Sequence, residues 1–333
     1  MKIIRILTGS ASCVDIERAS PRIFNLLIQI FNESECNKDS KLLLETVTLI
    51  YQCVTQLEDD VEYSLLEPIF LRMLEHVTKP LNPFHQSATV KVFQTLNHII
   101  LHRSEAIRYL GDNFGYMHTV ISLFEIHPTS MRAIHNIFSH DDHRMVDKIL
   151  KDTLYFREIK KILNTPPDIN LSVKMEIFWG LSNVVAGEPE HLEIVMRDEE
   201  IMASVESHVK DATCRLTKKE ILILLCNISY TENANFWLDI NYLDAILDTA
   251  EDESVHRILR DFLVNILKQG ESLVDNETIP FNPITLKIFA FGGVEKIEKQ
   301  IKGTQKIVRH FFGKHLEEYL AKRRGLNTKR ALQ

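Results

Sequence analysis

Glycine is scarce. The chain has 11 glycines in 333 residues, about 3% and roughly half the usual share. Few positions are left for tight phosphate loops, hairpins or βα turns, all of which lean on glycine's access to positive φ. Long hydrophobic runs are missing as well. The most apolar stretches, Ile23 to Phe31 and Ile221 to Cys226, are well short of the ~20 residues that cross a bilayer. Met1 to Leu7 is basic and then apolar, but Arg5 interrupts it and the block is too short for a secretory signal. Five cysteines, at 13, 36, 53, 214 and 226, are odd in number and form no C-x-x-C pair, so reduced thiols are expected rather than a disulfide framework. An excess of basic charge is absent too: 39 basic against 46 acidic residues give −7, the wrong sign for a nucleic-acid binder. These absences predict an all-α protein, cytosolic or nuclear, with no membrane and no nucleic acid as partner.

Apolar residues recur at helical spacing almost everywhere, as in Ile23, Leu26, Leu27, Ile30 and Phe31, or Leu65, Leu66, Ile69, Phe70 and Met73, and strand-like alternation is rare. The breaks are short, at Lys79-Pro80, Asn82-Pro83, His127-Pro128, Thr165 to Asp168 and Asn276 to Pro283, and read as turns between helices rather than linkers. One pattern repeats: a helix-spaced apolar run, an Asn, an aliphatic residue, then a polar turn. It occurs at Asn97, Asn136, Asn183, Asn227 and Asn265, separated by 39, 47, 44 and 38 residues. A mean of 42 is an armadillo or HEAT period, and the chain holds about eight such units. Gln52 takes the Asn position one period upstream.

A recurring Asn in an apolar helix has two readings. It can bond one helix to another, or it can form a ladder of amides along a groove, each offering a donor and an acceptor to an extended peptide's backbone.

The segment Lys174-Met175-Glu176-Ile177-Phe178-Trp179-Gly180-Leu181-Ser182-Asn183-Val184-Val185-Ala186-Gly187 closely resembles an armadillo repeat of importin-α, the nuclear import adaptor. Lys218-Lys219-Glu220 followed by Asn227 is similar to the next repeat, and Leu263 to Glu271 to the one after. Gly292 to Glu298, then Ile307 to Phe312, resembles the family's terminal repeat. The resemblance is strong over residues 130–312. It implies a right-handed superhelical solenoid of about seven to eight armadillo repeats over 1–315, with a basic tail at 316–333.

The resemblance also implies a function: binding basic nuclear localisation signals of cargo proteins in a concave groove. Localisation to both cytoplasm and nucleus is an expectation of the same resemblance. There, Trp indoles would hold the aliphatic stems of Lys or Arg, an arrangement that cation–π attraction favours. Carried over, Trp179, Asn183 and Glu176 form the clearest pocket, flanked by Asn136 and by Asn227 with Glu220. Arg132 stands where one family repeat has Arg in place of Trp, and Asp261 where a late repeat has an acidic residue, four residues before Asn265. The Trp position is Ile223 before Asn227, Phe93 before Asn97 and Thr48 before Gln52. Phe93 is expected to offer a weaker aromatic face, whereas the family's N-terminal site looks eroded. Importin-β and an export receptor are the partners implied; the family's basic arm, through which importin-β is recruited, is not found at the start of this chain.

Other chemistry finds little support. His135, His140, Asp141, Asp142 and His143 are the densest set of metal-ligating types, but they sit where a solvated repeat turn is expected. Trp237 lacks the Glu and Asn context of Trp179 and reads as core. No nucleophile pattern or phosphate loop is present, so neither catalysis nor a cofactor is expected. The basic tail, Lys322 to Arg330, reads as a solvated end or as an internal mimic of a localisation signal. Two alternatives stay open: an armadillo scaffold that has lost cargo binding, and a regulatory subunit that docks a catalytic partner.

Overall fold

The computed structural model describes residues 13–57, 62–79, 85–113, 115–124, 129–140, 143–166, 170–211, 215–231, 234–274 and 281–313. Among these there are helices and short turns and no strand. The expected prolyl turns at 80–83, 128, 167 and 276–280, and the basic tail, lie outside the described residues. Two compact units divide the chain, Met1–Ile162 and Leu163–Gln333.

The first unit begins with two helix pairs, α1 (Cys13–Cys36) with α2 (Ser40–Thr55), and α3 (Tyr63–Thr78) with α4 (Gln86–His102). A three-helix group follows, α5 (Ser104–Asp112), α6 (Gly115–Ser122) and α7 (Thr129–Phe138), then α8 (His143–Lys151) and α9 (Thr153–Leu163). The last helix of each group packs on the last helix of the next, α2 on α4 and α4 on α7. This stack buries Val47, Ile50, Val92, Phe93, Leu96, Ile134 and Ile137. A second stack forms where α3 meets α6.

The second unit repeats the scheme. Its helices are α10 (Leu171–Val185), α11 (Pro189–Arg197), α12 (Glu199–Lys210), α13 (Arg215–Ile228), α14 (Ala234–Asp239), α15 (Leu243–Asp248), α16 (His256–Ser272), α17 (Pro283–Ala290), α18 (Gly293–Gln300) and α19 (Gln305–Ile307), with a π-helical turn at Val308–Gly313. Here α10, α13 and α16 stack in order, as do α12, α15 and α18. Each group buries one apolar stripe against its neighbours, the arrangement in which a repeat cannot cover its hydrophobic face alone.

Polar side chains set the joints. Asp39, Asp198 and Asn282 cap α2, α12 and α17 by accepting from backbone N–H groups in the first turn, which satisfies donors that a helix start leaves open. Asn282 also donates to the Leu267 carbonyl at 2.7 Å. Gly270 makes this approach feasible, since a Cβ there would lie 2.1 Å from Asn282 Oδ1. Lys287 donates through Nζ to the Leu238 carbonyl at 2.5 Å and to that of Ile240, closing the C-terminal end of α14. Lys174, fully buried, does the same for the Thr165 and Pro166 carbonyls at 2.8 and 2.6 Å.

In the first unit, Glu35 on α1 is the hub that ties that helix to α3. It accepts from Arg72, from Lys79 at 3.1 Å and from His76 at 2.7 Å. The Arg72 guanidinium sits 4.6 Å above the Phe31 ring. Burial alone would raise the Glu35 pKa, but the bonds from His76, Lys79 and Arg72 outweigh it and hold the carboxyl at about 2.

Candidate functional site

Along α10, Glu176, Trp179 and Asn183 are spaced i, i+3, i+7 and share one face of the helix. Ile177, Phe178, Leu181, Val184 and Val185 occupy the buried side, which leaves the three candidates partly exposed. The next helix in the stack, α13, repeats the spacing with Glu220, Ile223 and Asn227, also partly exposed, over buried Ile221, Leu222, Leu224, Leu225 and Ile228. On α16, Asp261 is exposed and Asn265 partly so. The structure therefore brings Trp179, Asn183, Glu176, Glu220, Asn227, Asp261 and Asn265 onto three stacked helices of one unit.

Hydrogen bonds fix the register between these helices. Asn227 Nδ2 donates to the Ser182 carbonyl at 2.9 Å, and Asn265 Nδ2 to Ser229 Oγ at 3.1 Å. Gln269 Nε2 adds a bond to the Ser229 carbonyl at 2.6 Å. Asn227 and Asn265 thus each spend one amide N–H on the preceding repeat, the inter-helix role. Asn183 differs: its Nδ2 is buried and makes no hydrogen bond.

Electrostatics single out one carboxylate. Burial pushes the Glu220 pKa up; Lys219 opposes this, and the nearby Glu176 charge reinforces it. Its Oε2 is buried and accepts no hydrogen bond. A half-buried carboxylate oxygen left unpaired is costly, and a cation delivered by a ligand would relieve that cost. The face thus combines a partly exposed indole, two neighbouring carboxylates and an unpaired amide donor.

The first unit treats its candidates otherwise. Phe93 is fully buried, so the expected aromatic face does not exist there; the ring fills the α2–α4–α7 core instead. Asn97 and Asn136 are 7% and 6% exposed. Asn136 Nδ2 donates to the Asn97 carbonyl at 3.3 Å and Asn97 Nδ2 to that of Thr129 at 3.1 Å, so both work as inter-helix struts. Arg132 is exposed on α7. Thr48 returns its hydroxyl to the Leu44 carbonyl at 2.7 Å.

Trp237 is fully buried, edge-on to Phe262 with centroids 5.2 Å apart. His135 is likewise buried, 3.2 Å from the Tyr155 hydroxyl; Asp141 and Asp142 lie outside the described residues. No group of three or more metal-ligating side chains occurs among the described residues. Ser182, Ser229 and Gln269 escaped the sequence reading. Ser229, two residues past Asn227 at the helix end, was the available signal.

No family model matches the chain, and no curated protein matches it. Solved structures do. An engineered protein determined by a structural genomics consortium aligns with a TM-score of 0.55 at 16% identity, over 76% of this chain and 99% of its own. A second engineered protein reaches 0.55 at 18%, over 95% and 77%. A designed armadillo repeat protein gives 0.52 at 16%, over 74% and 98%. The fold is an armadillo-type helical repeat. At these identities the armadillo likeness concerns the fold alone. Among the described residues no helix is long and apolar enough to cross a membrane.

Proposed function

We propose that the second unit binds an extended basic peptide across α10, α13 and α16, and that the protein acts as an importin-α-like adaptor. Its ligands would be nuclear localisation signals of cargo proteins, carried between cytoplasm and nucleus without catalysis. One observation carries the reading: the partly exposed Trp179 indole lies between Glu176 and Asn183 on one helix face, with the unpaired Glu220 carboxylate oxygen on the adjacent helix. A lysine stem would lie along the indole while its ammonium reaches Glu176 and Glu220. Asn183 Nδ2 would donate to the peptide backbone, and Ile223 would supply packing without a π face. Asp261 extends the attraction along the stack.

The test is fluorescence anisotropy of a labelled Lys/Arg-rich peptide at low and physiological salt, with wild type beside Trp179→Ala/Asn183→Ala. Salt-sensitive binding that the double variant loses is the expected result. A wild-type chain that leaves the peptide unbound at both salts overturns the proposal. The alternative of an armadillo scaffold without cargo binding draws support from Asn97 and Asn136, whose amides serve the stack in the first unit.

A further inference from the structure

We infer that a cleft between two neighbouring repeats of the second unit binds a small zwitterion, a molecule that carries an ammonium, a carboxylate and an apolar side chain. The cleft has a volume of about 640 Å³, within the range of small-molecule sites. One side of it comes from the C-terminal end of α12 and the first turns of α13, the other from α15 and the turns that lead into α16. Buried Val209, Leu222 and Val255 give it an apolar floor. On α13, Lys218 and Leu222 are i, i+4 and Lys219 adjoins them, whereas Glu220 lies two residues beyond Lys218, about 200° around the helix. The cleft therefore uses a different face of α13 from the one that carries Glu220, Ile223 and Asn227.

Charge selects the ligand. Partly exposed Lys218 and Lys219 line the first side and exposed Glu251 the second, and among the described residues none of the three makes a hydrogen bond or an ion pair. The other charged groups around the cleft are already engaged. Lys210 Nζ donates to Glu206 at 2.5 Å and to Asn241 at 3.4 Å, Asp248 accepts from Lys296, and Asp252 Oδ1 accepts from the Ser254 N–H at 2.9 Å. One repeat thus presents two cations and the next a carboxylate, and they do not come within the ~4 Å of a direct ion pair. A ligand bearing only an anion would meet Glu251, and one bearing only a cation would meet Lys218 and Lys219. A zwitterion answers both sides: its carboxylate accepts from the two lysines, its ammonium donates to Glu251, and its side chain covers the apolar floor. Free amino acids and the termini of short peptides share this chemistry. The inference goes beyond the basic-peptide reading of the second unit and does not rest on it.

Isothermal titration calorimetry on the full chain tests it with the dipeptide Leu-Leu, its N-acetyl form, its C-terminal amide, and free leucine. Wild type should bind free Leu-Leu, and capping either end should weaken it about tenfold, the worth of one charge-assisted hydrogen bond. Lys218→Gln/Lys219→Gln should bind the free dipeptide about tenfold more weakly and no longer distinguish it from the amide, while still discriminating against the acetylated form. Glu251→Gln should do the reverse, losing discrimination against the acetyl cap and keeping it against the amide. Leucine that binds as tightly as Leu-Leu assigns the site to free amino acids; a tighter dipeptide assigns it to peptide termini. Three results would overturn the inference: no saturable heat with Leu-Leu or leucine at millimolar concentration, equal wild-type affinity for free and capped forms, or variants with wild-type circular dichroism that keep full discrimination against both caps.

Discussion

Replacing Glu35 with Gln removes the hub that joins α1 to α3. A carboxyl held at about 2 instead of its ordinary 4.5 corresponds to about 3 kcal/mol of preference for the folded state at neutral pH. The side chain keeps 17% of its exposure, and Gln retains some neutral hydrogen bonding, so the expected loss is about 2 kcal/mol. In a repeat protein this loss stays with the nearest neighbours. Amide hydrogen exchange is therefore the suitable assay. Exchange from α1 and α3 should accelerate about thirtyfold at neutral pH, while helices of the second unit keep wild-type rates. The sign of the pH dependence follows from a depressed carboxylate: the stabilisation is complete above about 4.5 and is lost as pH falls toward about 2. The gap between wild type and Glu35→Gln should shrink across that window. Unchanged exchange in α1, or a gap as wide at pH 3 as at neutral pH, would refute the reasoning.

Three further outcomes are expected. Gly270→Ala should displace Asn282 and with it the cap of α17, costing about 2 kcal/mol, read as a lowered thermal midpoint with earlier proteolysis near α17. Lys174→Met should leave the Thr165 and Pro166 carbonyls without their buried donor and cost about 1 to 3 kcal/mol in chemical denaturation. Phe93→Ala should destabilise the first unit by about 3 to 5 kcal/mol, as a core ring does, while leaving basic-peptide affinity intact in whatever fraction remains folded.

The repeat was legible because its signal is long: an Asn every ~40 residues behind an apolar helix. The cluster on α10 and α13 was legible because Glu, Trp or Ile, and Asn keep the i, i+3, i+7 spacing that puts them on one face. Phe93 went astray through register. Aligning α4 on Asn97 places residue 93 at the Trp position, yet each residue step turns a helix by about 100°, and here the solvent stripe runs through Lys91, Gln94 and His98. The polar pair Gln94 and His98, one turn apart between Phe93, Leu96 and Ile100, carried that information. The partners of Lys174 and Lys287 were not legible, because long side chains reach backbone carbonyls on other segments and leave no periodic trace in the sequence.

Glu220 allows function and stability to be separated. Its pKa is raised by burial, with the Glu176 charge adding to the effect and Lys219 opposing it. For a carboxyl raised in the folded state the linkage has the opposite sign from Glu35: the folded chain binds the proton more tightly than the unfolded one, so stability falls as pH rises through the interval between the two values. At neutral pH the ionised Glu220 is therefore a cost to the fold. Glu220→Gln should leave the thermal midpoint unchanged or raise it, while weakening a Lys/Arg-rich peptide. The same titration predicts that wild-type affinity for that peptide begins to fall, on acidification, at a higher pH than an ordinary exposed carboxylate would cause, and that Glu220→Gln flattens the profile. Anisotropy across pH 4 to 8, with thermal melts at each pH, measures both. If Glu220→Gln lowers the melting midpoint and affinity in parallel, the residue is a strut of the stack; if affinity falls while the midpoint holds, the unpaired carboxylate belongs to a binding site.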